Sequence, residues 1–226
     1  INQLSEKLYF DLAISNNDCR LFSRLVAKNK ILLSHSIQSL EKFIRKKQFY
    51  SYHKYRPKIA LLGNYHLKKR SYLTKIYGYF ILPYGVDDIF LDKQLNTDEN
   101  IDKNLAIFTS RSDRNLDLLL NIWNNRIFPN YTNGKLLITP PNDINNIGKN
   151  NIFIRSTGDR NAMINDLCKS RVLLVPGHKA ELYCLAAEEA RELCIPIVTL
   201  GIGSLSERVI HNHTGFIAKD HTEFAN

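Results

Sequence analysis

Short apolar runs alternate with helix-like segments along most of this chain, and this alternation limits its possible folds more than any other feature. From residue 104 onward the runs are NLAIFTS, GKLLITPP, NNIFIRS, RVLLVPG and PIVTLG. Between them, apolar residues recur at helical spacing over 114–125, 160–170 and 181–194. Strands that alternate with helices in this way form a parallel sheet with helices on its faces. Residues 85–226 are therefore predicted to form an α/β domain.

The first third of the chain carries a similar pattern. KILLSHS (30–36) and PKIALLGN (57–64) have the length and composition of buried strands, and YFILPYG (79–85) runs from a strand into a turn. The segment 37–55 between the first two has apolar residues at helical spacing, with Lys and Arg on its other face. A second α/β domain is therefore predicted over residues 1–84.

Charge is divided unevenly between these two parts. Residues 1–84 hold 16 Lys and Arg against 4 Asp and Glu, a balance of +12, whereas residues 85–226 hold 15 against 18, a balance of −3. This asymmetry indicates two modules with different partners. The basic part suits nucleic acid, an anionic membrane surface or an anionic substrate, or it is simply a soluble basic face.

Several classes of protein and site are not expected. No apolar run is long enough to span a membrane. The four cysteines lack metal-type spacing and lie in apolar contexts, which predicts buried free thiols in a reducing compartment. The seven histidines are scattered and form no HExxH motif, so no metal site is predicted.

The stretch ELYCLAAEEARELCIP (181–196) places Glu181 and Glu189 eight residues apart on a predicted helix that is rich in alanine and leucine. It follows a strand that ends at Pro176-Gly177, and ligands of open parallel sheets bind at the carboxyl ends of strands. The two acids are placed to hold the two ends of an extended polar ligand. In the alternative interpretation, Glu181 caps the helix and Glu189 is a surface residue.

The order of motifs in this region resembles that of a known family. Glu181, Glu189, the Cys-Ile-Pro-Ile-Val segment, a Gly-containing loop, Glu207-Arg208-Val209-Ile210 and HTGFIA follow one another without a gap. This order is similar to the donor-binding domain of the retaining GT-B glycosyltransferases of group 1, and LPYGVDDIFL is similar to their interdomain segment. The resemblance implies two Rossmann-like domains with parallel sheets and a cleft between them, with an amino-terminal domain that is truncated.

The resemblance also implies roles for individual residues. Glu189 would accept hydrogen bonds from the ribose hydroxyls, Glu181 would contact the transferred sugar, and Arg114 would face the donor diphosphate. His35, at a strand end, resembles a histidine that faces the donor sugar, so His35 and Glu181 are the predicted catalytic residues. The remaining predicted donor-binding positions are Arg111, His178, Lys179 and the three residues that replace the family's usual glycines, Leu182, Tyr183 and Cys184.

Plainer interpretations of the same residues stay open at this point. Arg114 could be a solvated arginine at a helix start, and His178 and Lys179 could be exposed loop residues. His35 could have a structural role.

The function that the resemblance implies is transfer of a hexosyl or related sugar from a nucleotide sugar to a glycan or lipid-linked acceptor, with retention of configuration. No cofactor and no metal is expected. The enzyme would be bacterial, act in glycan biosynthesis, and lie in the cytoplasm or at the inner face of an anionic membrane, with residues 1–84 on the acceptor side. Two alternatives remain: a non-catalytic GT-B-like nucleotide-binding module, and a nucleic-acid-binding protein. The latter would stack bases on the aromatic residues of the basic part, Phe43, Phe49, Tyr50, Tyr52 and Tyr55.

Overall fold

The structure is a computed structural model that describes residues 9–37, 40–70, 76–91, 101–140, 149–155 and 158–226. Contacts within the chain divide it into two units, Ile1–Tyr84 and Gly85–Asn226. Each unit contains a sheet in which the described strands are all parallel. The predicted α/β class is thus confirmed for both units.

The amino-terminal unit has a four-stranded sheet in the order β1-β2-β3-β4. Its strands are β1 (Tyr9–Asn16), β2 (Val26–Leu33), β3 (Lys58–Leu61) and β4 (Tyr79–Ile81). Its helices are a 3₁₀ helix (Cys19–Arg24), α1 (Leu40–Arg45), α2 (Phe49–Tyr55) and α3 (Asn64–Lys69).

The helical segment predicted between β2 and β3 is two helices rather than one. The chain breaks after α1 because Lys47 adopts a left-handed conformation (φ 50°). Phe43 from α1 and Tyr52 from α2 then pack edge to face, 4.8 Å between ring centroids, in the core beside Leu32 and Ile59. Burying both aromatic rings in one core requires the turn, and periodicity alone does not reveal it.

A buried polar network lies behind the carboxyl end of β2. The Arg70 guanidinium donates to the hydroxyls of Ser34 and Tyr52. His66 is also buried: its Nδ1 accepts from the Leu62 amide, and burial, followed by repulsion from Arg70, lowers its pKa to about 4. His66 is therefore a neutral core residue that helps to fix the turn after β3.

The carboxy-terminal unit has six strands and most of the helices. Its strands are β5 (Asp102–Phe108), β6 (Lys135–Ile138), β7 (Ile152–Ile154), β8 (Ser170–Leu174), β9 (Ile197–Thr199) and β10 (Gly215–Ile217). Its helices are α4 (Asp88–Leu91), α5 (Leu116–Ile122), α6 (Phe128–Asn130), α7 (Arg160–Lys169), α8 (Leu185–Glu192), α9 (Leu205–Arg208) and α10 (His221–Ala225). A π-helical turn (Trp123–Ile127) joins α5 to α6.

The strand order of this sheet, β10-β9-β8-β5-β6-β7, contains one reversal. The chain moves outward from β5 to β7, then returns to place β8 against the other side of β5. The connections after β5 and β8 consequently leave the sheet in opposite directions and open a crevice at its carboxyl edge. This is the position where open parallel sheets bind ligands.

Two further sequence predictions can be compared with the structure. All four cysteines are free, and Cys19 and Cys184 are buried as predicted. Cys194 is exposed, contrary to prediction, because it lies in a left-handed turn after α8 (φ 55°). Among the described residues, the structure contains no helix that is long and apolar enough to cross a bilayer.

Candidate functional site

Three loops at the carboxyl edge of the second sheet form the candidate site. They follow β5 (residues 109–115), β8 (residues 175–184) and β9 (residues 200–204). The first two flank the crevice between β5 and β8. Arg114 lies in the first loop and Glu181 in the second, so the strand order itself brings these predicted residues to the same place.

Hydrogen bonds join the three loops to each other. The Asn115 side-chain amide donates to the Gly177 carbonyl, which connects the first loop to the second. The Ser204 amide donates to the Glu181 carbonyl over 3.0 Å, which connects the third loop to the second. These two hydrogen bonds hold the three loops of the site against one another.

The close approach of the second and third loops depends on Gly203. Its φ is +77°, and a Cβ at this position would lie 2.3 Å from the His178 carbonyl oxygen.

We expect Gly203→Ala to lower the free energy of unfolding by about 2 kcal/mol, because it adds left-handed strain to a backbone clash. Urea unfolding measures the effect. Gly85→Ala is the control, since its Cβ would meet no atom within 4 Å, and an equal loss in both variants would contradict the prediction.

The prediction of a helix over 181–194 is wrong at its start. The helix begins at Leu185, and its N-cap residue, Cys184, makes no side-chain capping bond. Glu181 instead lies in a turn in which its amide donates to the His178 carbonyl. Its own carbonyl is taken by Ser204 of the third loop, so this backbone cannot join α8. Glu181 is therefore not a capping acid.

Arg114 and Glu181 form an ion pair across the crevice. Arg114 Nε lies 3.1 Å from Glu181 Oε2, and the two side chains are only 20% and 17% exposed. Burial raises the pKa of Glu181, and the attraction of Arg114 opposes this only in part. The pair therefore places a largely desolvated cation and a carboxylate that is costly to ionise at the mouth of the crevice. Arg114 is not a solvated surface arginine.

Arg111 differs from Arg114 in its surroundings. Its side chain is 76% exposed, and its partner is Asp113, 2.8 Å away. The same Asp113 oxygen lies 3.0 Å from Arg114 Nη1. Asp113, which the sequence prediction missed, therefore helps to fix Arg114 through a different guanidinium nitrogen from the one that contacts Glu181. The position of Asp113 between two arginines in the sequence could have indicated this role.

Glu189 lies on α8 and is partly buried rather than a surface residue. Burial raises the pKa of its carboxyl group, and Arg160 and Arg155 counteract this by attraction over a longer distance. Arg155 directly follows β7 and is largely buried, and one of its buried guanidinium nitrogens, Nη2, has no hydrogen-bond partner among the described residues. Sequence reasoning missed Arg155, although its place at a strand end could have indicated it.

The raised pKa of Glu189 implies an expected stability effect. In the unfolded chain the carboxyl ionises near 4.5, whereas the folded protein holds the proton to higher pH. Ionised Glu189 therefore lowers the free energy of unfolding as the pH rises through this window. We expect Glu189→Gln to be more stable than the wild type at neutral pH and to lose this gain below pH 4.5. Urea unfolding at both pH values is the measurement, and a Gln variant that is less stable at neutral pH would contradict the prediction.

The neighbouring Glu188 is the buried acid of this helix. It accepts from Arg208 over 3.0 Å and lies 2.9 Å from Arg191, with its side chain 5% exposed. The Arg208 guanidinium in turn lies over the Tyr183 ring, 4.2 Å from its centroid. Glu188 therefore ties α8 to α9 and supports the loop that carries Glu181.

The other predicted donor-binding residues fall into two groups. The side chains of Leu182, Tyr183 and Cys184 are buried, so a ligand would meet the backbone of this segment. The Cys184 thiol lies 4.0 Å from the Ser110 hydroxyl, and burial raises its pKa to about 12. Lys179 is exposed, whereas His178 is partly buried and its Nδ1 accepts from the Ala180 amide.

His35 lies in the amino-terminal unit, two residues beyond the end of β2. Its Nδ1 is hydrogen-bonded to the Tyr84 hydroxyl, and its Nε2 lies 3.1 Å from the Asn16 side-chain oxygen. Its ring also stacks parallel on Tyr84, 5.5 Å between centroids. Both ring nitrogens are thus engaged, and a ligand would have to replace Asn16 to reach Nε2.

Over the part of the chain that the structure describes, no cluster of three or more His, Cys, Asp or Glu has the arrangement required to hold a metal ion.

By sequence, no protein-family model and no curated protein matches this chain. Solved structures do match it. TarM, which is from S. aureus, has a TM-score of 0.69 at 14% identity over 94% of this chain and 45% of its own. A glycosyltransferase from Rickettsia africae has a TM-score of 0.69 at 14% identity, over 95% of this chain and 64% of its own. Anabaena HepE, solved with UDP and glucose, has a TM-score of 0.67 at 13% identity, over 95% of this chain and 66% of its own.

Because the sequence identities are low, these matches establish only the fold of the chain. The chain spans about half to two thirds of the length of the three proteins it resembles. The resemblance predicted from the sequence is confirmed at this level: the chain has the fold of the GT-B glycosyltransferases, with two Rossmann-like α/β units built on parallel sheets.

Proposed function

We propose that this protein is a glycosyltransferase that moves a hexosyl or related sugar from a nucleotide-sugar donor to an acceptor with retention of configuration. The observation that carries the proposal is the Arg114–Glu181 pair at the crevice between β5 and β8. A nucleoside diphosphate gains charge as it leaves the sugar, and a fixed guanidinium favours that change. Glu181 would contact the transferred sugar beside it.

Glu189 supports this assignment from the other end of the ligand. A carboxylate that is partly buried and attracted by two arginines suits ribose hydroxyls, which donate hydrogen bonds to it. The loops after β5, β8 and β9 would hold the diphosphate between Glu181 and Glu189. No protein nucleophile is required, because positioning of the reactants and stabilisation of the diphosphate supply most of the rate.

The carboxy-terminal unit is accordingly proposed to bind the donor and the amino-terminal unit to bind the acceptor. The strongly basic character of the latter suits an anionic glycan or a lipid-linked acceptor. We propose that the protein acts in the cytoplasm, in contact with the inner face of a membrane, and uses no metal ion.

A thermal-shift titration with UDP, GDP and ADP, followed by their sugar conjugates, tests donor binding. We expect one nucleotide series to raise the melting temperature, because ligands that bind only the folded state stabilise it. Donor hydrolysis, lost in Glu181→Ala, then tests transfer. Failure of every nucleotide to shift the melting temperature would contradict the proposal.

A non-catalytic nucleotide-binding module is the second candidate. It is favoured by the buried side chains of Leu182, Tyr183 and Cys184, which stand where glycines would let the backbone approach a sugar closely. This candidate predicts that nucleoside diphosphates bind while no donor is hydrolysed or transferred.

A further inference from the structure

The turn between α1 and α2 exposes large apolar side chains on a strongly basic surface. Ile44, Phe49 and Tyr50 are 62%, 56% and 68% exposed, and they lie within seven residues of one another. Between them stand Arg45, Lys46 and Lys47, all exposed. We refer to residues 44–50 as the α1–α2 turn.

This exposure belongs to a well-anchored segment. Gln48, in the middle of the turn, is fully buried, and its side-chain amide donates to the Asn17 carbonyl over 3.3 Å. The Lys47 amide donates to the Ile44 carbonyl over 2.8 Å. Phe49 also packs edge to face on the buried Phe43, 5.9 Å between ring centroids. The fold therefore holds the apolar side chains outward, and Phe49 is not exposed through loose packing.

The segment of the chain that carries the turn has charge of a single sign, although Asp18 of the neighbouring loop lies beside Gln48. From residue 42 to residue 86 the sequence contains no Asp or Glu and 11 Lys and Arg. Lys54 of α2 lies 5.6 Å from the Tyr50 ring, so cationic groups flank the turn on the α2 side as well. Cations that surround exposed aliphatic and aromatic groups are complementary to an anionic lipid surface, which offers phosphates outside and hydrocarbon beneath.

We propose that the α1–α2 turn is a membrane-docking surface that inserts Ile44, Phe49 and Tyr50 into the interfacial region of an anionic bilayer. Arg45, Lys46, Lys47 and Lys54 then contact the headgroups. Aromatic rings with a polar edge, such as Tyr50, are favoured at this depth. Vesicle binding requires no nucleotide, so this inference and the proposed transferase function can fail independently.

Nucleic acid is the competing partner for a basic surface with aromatic residues. Of the five aromatic residues that the sequence offers for base stacking, Phe43 and Tyr52 are buried in the core. The large apolar side chains that the turn exposes are Ile44, Phe49 and Tyr50. One of them, Ile44, is aliphatic and has no π face on which a base could stack. The side chains that the fold actually presents fit lipid better than single-stranded nucleic acid.

Co-sedimentation with phosphatidylcholine vesicles, with and without phosphatidylglycerol, tests the proposal. We expect binding only to the anionic vesicles, weakening as salt rises. Lys46→Glu/Lys47→Glu and Phe49→Ser/Tyr50→Ser should each lower the partition coefficient at least about tenfold, since headgroup attraction and apolar insertion both contribute. Lys28→Glu/Lys58→Glu is the matched control. It makes the same charge change at exposed positions near the amino-terminal ends of β2 and β3, and it should retain most of the binding.

A fluorescence measurement reports insertion of the turn directly and does not depend on how much protein sediments. Trp123, the single Trp, is buried in the other unit, so Phe49→Trp introduces a reporter at the turn. We expect its emission to shift to the blue with anionic vesicles and to be quenched by brominated lipid. An unshifted emission, an equal loss of binding in the control pair, or salt-dependent binding to an oligonucleotide in place of vesicles would each overturn the proposal.

Discussion

Replacing Arg114 by alanine is expected to lower the rate of sugar transfer by about 100- to 1,000-fold, the usual effect of removing one preorganised group that stabilises charge in the transition state. Arg114 is suited to this role because Glu181 and Asp113 hold it from two sides in a partly buried crevice. The measurement is the steady-state rate with the nucleotide sugar that the thermal-shift titration identifies. Arg114→Lys should recover only part of the rate, because an ammonium cannot reproduce the planar guanidinium fork.

The matched control is Arg111→Ala. Arg111 stands three residues earlier, carries the same charge and pairs with the same aspartate, but its side chain is largely exposed. Solvent screens such a charge, so we expect a rate change of less than about tenfold. Equal effects of the two substitutions would show that Arg114 acts only through the general positive potential of the loop.

Replacing Glu188 by alanine is expected to lower the free energy of unfolding by about 3 kcal/mol, because it removes the closer and more buried of the two carboxylates that pair with the mostly buried Arg208. Glu188 holds two arginines, and Arg208 covers the ring of Tyr183. The variant should therefore also loosen the segment that carries Glu181. Urea unfolding gives the stability, and hydrogen exchange at residues 181–184 reports the local effect.

The adjacent Glu189 provides the control. Its carboxylate is only attracted at a distance by Arg155 and Arg160. Glu189→Ala should change the free energy of unfolding by less than about 1 kcal/mol while it removes the thermal shift that a nucleotide induces. If Glu189→Ala destabilises as much as Glu188→Ala, the separation of a structural acid from a ligand-binding acid is wrong.

Much of the fold could be predicted from local sequence patterns. The apolar runs at 30–36, 57–64 and 104–110 each overlap a described strand, and segment 160–170 contains α7. These predictions succeed because strand and helix periodicities of apolar residues are properties of neighbouring positions. Once the strands are parallel, their carboxyl ends share one edge, which accounts for Arg114 and Glu181 lying near each other.

The errors in the site arise where distant segments decide the local structure. The helix expected from Glu181 begins at Leu185 because the loop after β9 takes the Glu181 carbonyl. Likewise, the place of Arg155 at a strand end does not show that it lies near Glu189. That proximity depends on which loops the strand order brings together, and no spacing along the chain encodes it directly.

The sequence by itself determined that this chain forms parallel α/β units and that acids and arginines lie at strand ends, since both follow from short-range periodicity. The tertiary structure alone showed that Glu188 is the buried acid that pairs with arginines. Glu188 and Glu189 are adjacent on α8, and a rotation of about 100° per residue sends them in different directions. Arg208 pairs with Glu188 because α9 packs against the side of α8 that carries this residue, whereas Arg155 and Arg160 attract Glu189 from a greater distance.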